Sequence, residues 1–566
     1  MSNSVKVSSN DSPADGMTRS EFLKLTATVA AAMGTITILP ACSALQAGRN
    51  TTGRPGLNIL VIQVDEMRAP SVYLPRAIRE TYLPNLTKLA DEGVDFTNHH
   101  IASSACGPSR TCLATGLYTH QTACFSSDVS LNLNTGFPTY GAMLRSLGYD
   151  TFWFGKWHLT YHPDGCLPDP YEAYGFTVPP GIGTCPDPMG APYEGQERDP
   201  LISQQYIDWL ANRPHNGAPW CATVSFVNPH DVGFYPNGAI ELEKQAPSLF
   251  DSLPANFETK QDRINERKPA LHQRLADVVN MIFGELPDSG VPAEPWIRLL
   301  DTYVWTQHLV DVQIGRVLDA LALSPFSQDT VVIFTSDHGD YTGSHGLRGK
   351  CYGMYEEGIV VPFIVKDPTG TWTAAGNVPR TQLSSHVDLV PLLLTLATGN
   401  ERWRGARQYE HLSTRLSLAR ILADPGAAGR PYAAHATDET SLAKSLTDFL
   451  GGDAVELEPV PDHVMGVAML GGKFAQYAYW QPGTTNPEDV GMQFEGYDYR
   501  TRAGQLELHN SYGSSLPSDL EAIETGKQTL DQAIKNELEA PLPSYLRPVQ
   551  EQALADWFAM DKDTGT

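Results

Sequence analysis

Apolar runs typical of β-strands alternate along this chain with segments that have helical periodicity, and this alternation predicts an α/β fold. Between residues 302 and 322, apolar residues recur at roughly every 3.6 positions, which predicts a long amphipathic helix. Strands of a main sheet are predicted at 58–64, 151–154, 220–227, 330–335 and 362–365.

The pattern changes near residue 455. Shorter β-like runs follow at 464–470, 473–480 and 493–499, and a helical pattern covers 518–535. We therefore predict a main domain at 57–454 and a smaller C-terminal α+β subdomain at 455–566. The polar stretch 240–298 is predicted to be a helical insertion in the main domain.

The N-terminus has the pattern of a targeting signal. Residues 1–42 are predicted to be an export signal, with about fifteen apolar residues after the segment R-S-E-F-L-K, which is short for a membrane span. The run closes on L-P-A-C, which resembles a lipoprotein box with Cys42 as the lipidated residue. A polar linker follows at 43–56. We expect a protein of the bacterial cell envelope, either periplasmic or anchored by its N-terminal lipid only, and an ordinary cleaved signal is the alternative.

Net charge and cysteine content argue against a nucleic-acid-binding protein and against a disulfide-rich protein. The 566 residues carry a formal net charge of −25, with no basic stripe that could neutralise phosphates, so nucleic acid is excluded as a partner. Eight cysteines are too few for a disulfide framework. Cys166 and Cys185 share one Gly/Pro-rich loop, and their spacing leaves open whether they pair.

Chemically capable residues follow four of the predicted strands. They are Asp65 and Glu66, then Lys156 and His158, then His230, then Asp337 and His338. In an open α/β sheet the carboxyl ends of the strands converge on one crevice, and ligands bind there. We therefore expect these side chains to form one site.

The segment C-G-P-S-R at residues 106–110 has the pattern of a helix start. Pro108 suits the first helical turn, where its missing N–H costs nothing, and Arg110 would return to the same face as Cys106 one turn earlier. A helix N-terminus beside an arginine is an anion site.

With this segment the chain resembles the sulfatases of the alkaline phosphatase superfamily. Their signature C-x-P-S-R, followed by Thr-Gly, is matched at Cys106, Pro108, Ser109, Arg110, Thr115 and Gly116. Further family motifs match at 58–66, 155–159, 228–231, 336–339, 343–350 and 355–362. The resemblance implies a large mixed, mostly parallel sheet flanked by helices.

The resemblance also implies the chemistry of the site. A formylglycine-generating enzyme would oxidise Cys106 to formylglycine, whose hydrate would attack sulfur. His158 would assist the release of sulfate, while His230 and Lys350 would protonate the leaving oxygen and hold sulfate. The implied catalytic residues are Cys106, Arg110, Lys156, His158, His230 and Lys350.

One divalent metal ion is implied, with Asp65, Glu66, residue 106, Asp337 and His338 as its ligands. Ca²⁺ is favoured by family frequency, whereas the nitrogen of His338 favours Mn²⁺; Mg²⁺ stays open. Two positions depart from the usual family pattern. Glu66 stands where an aspartate is usual, and His338 stands where many sulfatases have asparagine. The Asp-His pair resembles the branch that contains choline sulfatases and phosphonate monoester hydrolases.

We expect hydrolysis of a sulfate monoester of a small-molecule or carbohydrate alcohol, which releases inorganic sulfate and the alcohol. A phosphonate monoester or phosphodiester hydrolase on the same scaffold is the alternative. A non-catalytic envelope binding lipoprotein is the third and least favoured hypothesis. The sequence leaves the identity of the substrate open.

Overall fold

The computed structural model describes residues 56–127, 132–160, 171–179, 191–350, 353–438 and 458–564. Cys42, Cys166 and Cys185 lie outside the described residues, as do the predicted export signal and almost all of the predicted linker.

Among the described residues, six strands form the main sheet, in the spatial order 94–95, 363–366, 330–336, 58–65, 220–229 and 150–155. The described strands are β1 (Asn58–Asp65), β2 (Val94–Asp95), β3 (His99–His100), β4 (Asp150–Gly155), β5 (Trp220–Pro229), β6 (Thr330–Ser336), β7 (Phe363–Lys366), β8 (Ser384–Ser385), β9 (Ala433–Asp438), β10 (His463–Met469), β11 (Gly472–Ala478) and β12 (Gln493–Asp498). The neighbours β6, β1, β5 and β4 are parallel. At the edge, β7 runs antiparallel to β6, and β2 runs antiparallel to β7. The sheet is therefore mixed and mostly parallel, as predicted.

Strand β1 lies in the centre of the sheet, and all eight of its residues are buried. Its alternate side chains enter two separate cores, with Ile59 and Val61 on one face and Leu60 and Ile62 on the other. Because helices cover both faces, the strand is a continuous apolar run rather than an alternating one.

Helices cover both faces of the sheet. In the main body they span Pro70–Tyr73, Arg76–Tyr82, Pro84–Glu92, Cys106–Thr115, Thr119–Thr122, Tyr140–Ser146, Glu194–Ala211, Ile240–Gln245, Lys260–Asn265, Ala270–Phe283, Glu294–Leu323, Glu356–Ile359, Leu389–Thr398 and Leu418–Ala423. The long helix predicted at 302–322 is present and begins earlier, at Glu294, with a proline in its first turn. The stretch 240–298, predicted to be a helical insertion, contains the helices Ile240–Gln245, Lys260–Asn265 and Ala270–Phe283 and the start of Glu294–Leu323, with non-helical segments between them.

A second, four-stranded sheet has the order β12-β11-β10-β9 and is antiparallel throughout. It packs through Phe474 against Ile523 and Leu530 of the Pro517–Ala533 helix. Two further C-terminal helices span Arg502–Gln505 and Arg547–Thr564. The sheet includes β9, which precedes residue 455. Within the described ranges, no helix combines the length and the apolar character that a membrane crossing requires.

The turn after β4 places Lys156 at the edge of the sheet, and it depends on a glycine. Gly155 has φ +87°, and a Cβ atom there would lie 2.0 Å from the Ser225 carbonyl oxygen. Gly148 has a similar φ of +91°, but no atom lies within 4 Å of its added Cβ. The two positions thus share the same backbone requirement and differ in steric freedom.

We expect Gly155→Ala to lower the free energy of unfolding by about 3 kcal/mol or more, because backbone strain and a steric clash add there. Gly148→Ala should cost only about 1 kcal/mol, since strain acts alone. Equilibrium urea unfolding of both variants measures the difference. Equal losses of unfolding free energy in the two variants would contradict a steric clash between residue 155 and the Ser225 carbonyl.

Candidate active site

The carboxyl ends of four parallel strands meet at one edge of the sheet, and the residues predicted for the site lie there. Asp65 ends β1, and Asp337 follows β6. Lys156 follows β4, and His230 follows β5. Ion pairs join residues from all four strand ends.

The helix Cys106–Thr115 begins at Cys106 and is buried along its whole length. It ends at Gly116, whose φ of 70° gives a left-handed cap, with its N–H bonded to the Cys112 carbonyl. A Cβ at Gly116 would lie 2.6 Å from a Leu412 methyl group, so steric hindrance favours glycine at this position of the signature. The hydroxyl of Ser109 donates to the Asp337 carbonyl oxygen at 2.5 Å. The signature residues therefore fix this helix against the end of β6.

The side chain of Arg110 is 1% exposed, and it bonds both Asp65 and Asp337. Its Nε donates to Asp337 Oδ2 at 2.8 Å, and its Nη2 donates to Asp65 Oδ2 at 2.9 Å. Its Nη1 donates to the Lys156 carbonyl and to the Ser225 hydroxyl, both at 3.0 Å. Charge-assisted bonds of this kind fix both carboxylates in one orientation.

Cys106 lies among charged groups. Its Sγ is 3.1 Å from His338 Nε2 and 3.8 Å from Asp65 Oδ1. Burial and the Asp65 carboxylate act to raise the pKa of this thiol, but Lys350, Lys156 and His338 outweigh them, and the pKa is well below its ordinary value. The surroundings therefore favour the thiolate form of Cys106.

Ligand atoms of Asp65, Cys106, Asp337 and His338 lie within 4.8 Å of one another. His338 Nε2 is 3.6 Å from Oδ1 of each aspartate. Ligands that share one metal ion at about 2.1–2.4 Å lie roughly 3–3.5 Å apart, so these side chains fit a divalent cation after a slight contraction. The other ring nitrogen of His338 lies 2.9 Å from the Gly339 carbonyl oxygen, which turns Nε2 toward the group.

Glu66 lies in a second, overlapping group with Asp65 and His230. Its Oε2 is 2.9 Å from Lys350 Nζ and 3.7 Å from His230 Nε2. Asp340 lies next to this carboxyl group and acts to raise its pKa. Burial is the main cause that raises the pKa of Glu66 well above its ordinary value.

Two lysines lie beside Asp65 and Cys106. Lys156 Nζ is 2.8 Å from Asp65 Oδ2, and Lys350 Nζ is 3.8 Å from Asp65 Oδ1. Burial acts to lower the pKa of each lysine, but the neighbouring anions Asp65 and Cys106 outweigh it and raise both pKa values. Both amines are therefore cationic at neutral pH.

The two predicted histidines lie in different surroundings. The side chain of His230 hydrogen-bonds Cys106, and burial, together with Lys350 and Lys156, lowers its pKa to about 4. His158 Nε2 is 3.2 Å from the Ser127 carbonyl oxygen, while the Ser127 hydroxyl accepts the Gly107 N–H at 3.0 Å. His230 thus contacts Cys106, whereas His158 lies beside Ser127, which bonds the start of the Cys106–Thr115 helix.

Sequence reasoning missed several residues of this site. Asp340 contacts Glu66, and the Tyr303 hydroxyl donates to the Glu66 carbonyl at 2.7 Å. Ser225 in β5 is the partner of Arg110. A polar residue inside an otherwise apolar strand was the available signal for Ser225. No pattern in the sequence distinguishes Asp340 or Tyr303.

His345 stabilises the loop that carries Lys350. Its Nδ1 is 2.7 Å from Glu258 Oε2, and its Nε2 is 3.5 Å from Glu357 Oε2. The ring stacks on Tyr355 with centroids 3.6 Å apart. Burial acts to lower the pKa of His345, but the hydrogen bonds that its ring donates to the two glutamates raise it above its ordinary value.

Replacement of Arg110 by alanine leaves two buried carboxylates without their shared counterion. In the presence of EDTA, we expect Arg110→Ala to lower the free energy of unfolding by about 3–5 kcal/mol. Arg76→Ala is the matched control, because Arg76 and its bidentate partner Asp91 are exposed, and its effect on the free energy of unfolding should be much smaller. Urea denaturation compares the two variants. Similar losses would contradict the role given to Arg110.

Comparisons with known proteins show which proteins this chain resembles. N-acetylglucosamine-6-O-sulfatase of Bacteroides thetaiotaomicron is 24% identical over 400 residues, which cover 62% of this chain and 69% of the relative. Choline-sulfatase of Rhizobium meliloti is 26% identical over 378 residues, which cover 61% and 68%. The chain spans 62–69% of the length of the first curated relatives that it matches.

The crystal structure of the phosphonate monoester hydrolase of Agrobacterium radiobacter superposes with a TM-score of 0.60 at 22% identity, over 85% of this chain and 97% of that one. This likeness confirms the predicted fold class. The family model Sulfatase matches residues 57–399, which is more than half of the chain. The chain therefore belongs to the sulfatase family, within the alkaline phosphatase superfamily.

Proposed function

We propose that this chain hydrolyses a sulfate monoester of a small-molecule or carbohydrate alcohol and releases inorganic sulfate and the alcohol. The observation that carries the proposal is the position of Cys106, at the buried start of the signature helix, within 3.1 Å of His338 and beside cationic Lys156 and Lys350. The named sulfatase relatives support the same class of reaction.

A sulfate monoester is an anion, and the site must offset its charge. The three basic side chains Arg110, Lys156 and Lys350 balance Asp65, Glu66 and Asp337, so a divalent cation would leave the pocket positive. Asp65, Asp337, His338 and the residue at position 106 would hold this cation. When bound, it would supply Lewis-acid stabilisation of the charge that develops on the sulfate oxygens.

Oxidation of Cys106 by a formylglycine-generating enzyme would supply a hydrated aldehyde as the nucleophile. Lys156 and Lys350 hold their positive charges toward this position and would bind the sulfate oxygens. Arg110 donates four hydrogen bonds to protein groups, so its proposed role is to orient the carboxylates rather than to bind substrate.

His230 is the proposed acid for the leaving oxygen. Its side chain is 13% exposed, whereas those of Asp65, Asp337 and His338 are fully buried, so it borders the open side of the site. Its imidazole is neutral in the free site, because its pKa is about 4. An anionic sulfate beside it would offset the two lysines and raise that pKa toward the range of a proton donor. His158 would accept a proton at position 106 while sulfate leaves.

Hydrolysis of a phosphonate monoester or phosphodiester is the second candidate. The observation that favours it is the pair Asp337-His338, whose imidazole lies in the metal group in place of an amide. The structural likeness to a phosphonate monoester hydrolase is consistent with this alternative at the level of the fold.

The proposed location is the bacterial cell envelope, with lipid anchoring at Cys42. It is supported by the N-terminal sequence alone. Such a location would give an acidic chain access to sulfate esters outside the cytoplasm.

Paired aryl esters test the reaction class. With the matured chain, we expect kcat/KM for an aryl sulfate to exceed that for the matching aryl phosphodiester or phosphonate at least about tenfold. Cys106→Ala should lower both activities by about a thousandfold or more, because the nucleophile is lost. The reverse preference would establish the second candidate instead, and full activity of Cys106→Ala would refute both.

His230→Ala should reveal an acid role through the leaving group. We expect a loss of about a hundredfold to a thousandfold in kcat for an alkyl sulfate, whose alkoxide needs a proton, and a much smaller loss for 4-nitrophenyl sulfate. Steady-state rates for the parent and the variant on both esters give the comparison. Equal losses on both would argue that His230 binds sulfate without donating a proton.

A further inference from the structure

The loop that precedes Lys350 has a strained backbone at its tip. It is closed at its base by the Tyr341 N–H, which donates to the Gly349 carbonyl oxygen at 2.9 Å. His345 lies midway between these two residues and has φ +58°, in the left-handed region that a non-glycine residue rarely adopts. Strain of this kind persists only where surrounding contacts hold it.

The first contact that holds the tip comes through Lys268. His345 Nδ1 is 2.7 Å from Glu258 Oε2, and the Lys268 ammonium donates to the same oxygen at 3.2 Å. Lys268 also donates to the carbonyl oxygen of Glu507, which follows the C-terminal helix Arg502–Gln505. The ion pair of Lys268 and Glu258 is buried, so these bonds hold it without competition from solvent.

The second contact comes through the helix Glu356–Ile359. The N–H of Glu356 donates to Glu507 Oε2 at 2.9 Å, and the next residue, Glu357, lies 3.5 Å from His345 Nε2. A carboxylate oxygen of Glu357, one of Glu507 and a ring nitrogen of His345 lie within 4.8 Å of one another. Glu507 is therefore connected to both glutamates that hold the tip of the loop.

Glu507 is itself held in one orientation. It is 1% exposed and has φ +52°. Its Oε1 accepts the Lys473 ammonium at 2.5 Å and the Tyr499 hydroxyl at 2.8 Å, while its Oε2 accepts the Glu356 N–H. Burial is the largest cause that raises the pKa of Glu507, and the Lys473 ammonium opposes it. Because all three partners are donors, a carboxylate fits this place, whereas an amide would direct its own N–H groups at donors.

Lys350 is sensitive to the position of this loop. Its Nζ is 2.9 Å from Glu66 Oε2 and 3.8 Å from Asp65 Oδ1, and its side chain is 18% exposed. A hydrogen bond is lost when its donor moves by about 1 Å, so a small displacement of the loop would weaken the binding of an anion by Lys350.

From these contacts we propose that Glu507 is a positioning residue for Lys350: it fixes the loop at His345, and the loop directs the Lys350 ammonium toward the sulfate. The inference rests on the proposed function for the sulfate contact of Lys350. It gives the C-terminal subdomain a role in substrate binding that acts through the loop and needs no direct contact with the substrate.

The experiment measures binding of inorganic sulfate to the full, matured chain by calorimetric titration. Glu507→Gln keeps the size of the side chain and removes its charge, and we expect it to bind sulfate about tenfold more weakly than the parent. The matched control is Glu495→Gln, the same change at a buried glutamate that bonds Tyr477 and Tyr497 within its own sheet. It should bind sulfate within about twofold of the parent.

A double-variant cycle separates positioning from general damage. Lys350→Met should weaken sulfate binding about tenfold or more, and adding Glu507→Gln should weaken it by less than about twofold further, because Glu507 acts through Lys350. The melting temperature should fall by the same amount in either background. Tyr499→Phe removes one donor to Glu507 and keeps the ring, so this milder variant should weaken sulfate binding about threefold.

Hydrogen exchange gives a readout that does not depend on sulfate. Peptides that cover residues 341–349 should exchange faster in Glu507→Gln than in Glu495→Gln, because the loop has lost its support. Peptides from β1 should exchange alike in the two variants.

Sulfate binding by Glu507→Gln at the level of the parent, or an additive effect with Lys350→Met, would overturn the inference. Equal weakening by Glu495→Gln would overturn it as well, because the effect would then be general to the sheet. A parent chain that binds no sulfate, or a Lys350→Met variant that binds like the parent, would instead refute the sulfate contact of the proposed function. Faster exchange at 341–349 in Glu507→Gln alone would in that case still support the hold of Glu507 on the loop.

Discussion

Arg110 is buried between Asp65 and Asp337, and the rest of the site depends on this interaction. The two carboxylates lie at the ends of neighbouring parallel strands, where like charges would repel each other in a medium of low dielectric constant. The guanidinium bonds both and also bonds the Lys156 carbonyl and Ser225 on the other side of β1. One side chain thereby joins the ends of β1, β4, β5 and β6. The planar, permanently charged fork of arginine suits this task, whereas a lysine ammonium offers no such geometry.

This constraint gives the signature segment a physical meaning. Cys106 and Arg110 lie one helical turn apart on the same helix. The helix whose arginine bonds the two carboxylates therefore also places Cys106 next to them. Ser109 fixes the same helix to the Asp337 carbonyl. The overall charge of −25 is consistent with an anionic substrate, because exposed charges are screened over about 8–10 Å, while the buried lysines act at contact distance.

The sequence predicted those parts of the molecule that depend on local pattern. Buried parallel strands are continuous apolar runs, so β1, β5 and β6 were predictable, and the chemistry at their ends followed from the topology. Strand β9 was missed because its sequence A-A-H-A-T-D has no strong β pattern, and its pairing with β10 is a long-range property. The antiparallel direction of β7 likewise comes from tertiary packing.

Within the site, the residue types and their order were predictable, but their orientation was not. The resemblance implies Glu66 as a ligand beside Asp65, but its left-handed backbone and its ion pair with Lys350 could not be read from the sequence. Asp340 and Tyr303 contribute through contacts that join segments distant in the chain. Such contacts leave no periodic signal in the sequence.

The account depends most on the chemical state of residue 106. The most direct test is the mass of the peptide that contains Cys106, from chain produced together with a competent formylglycine-generating enzyme. The account predicts an aldehyde or its hydrate at this position. A free thiol, in protein made where the maturation enzyme demonstrably converts another sulfatase, would contradict the proposed mechanism and favour a binding role for this chain.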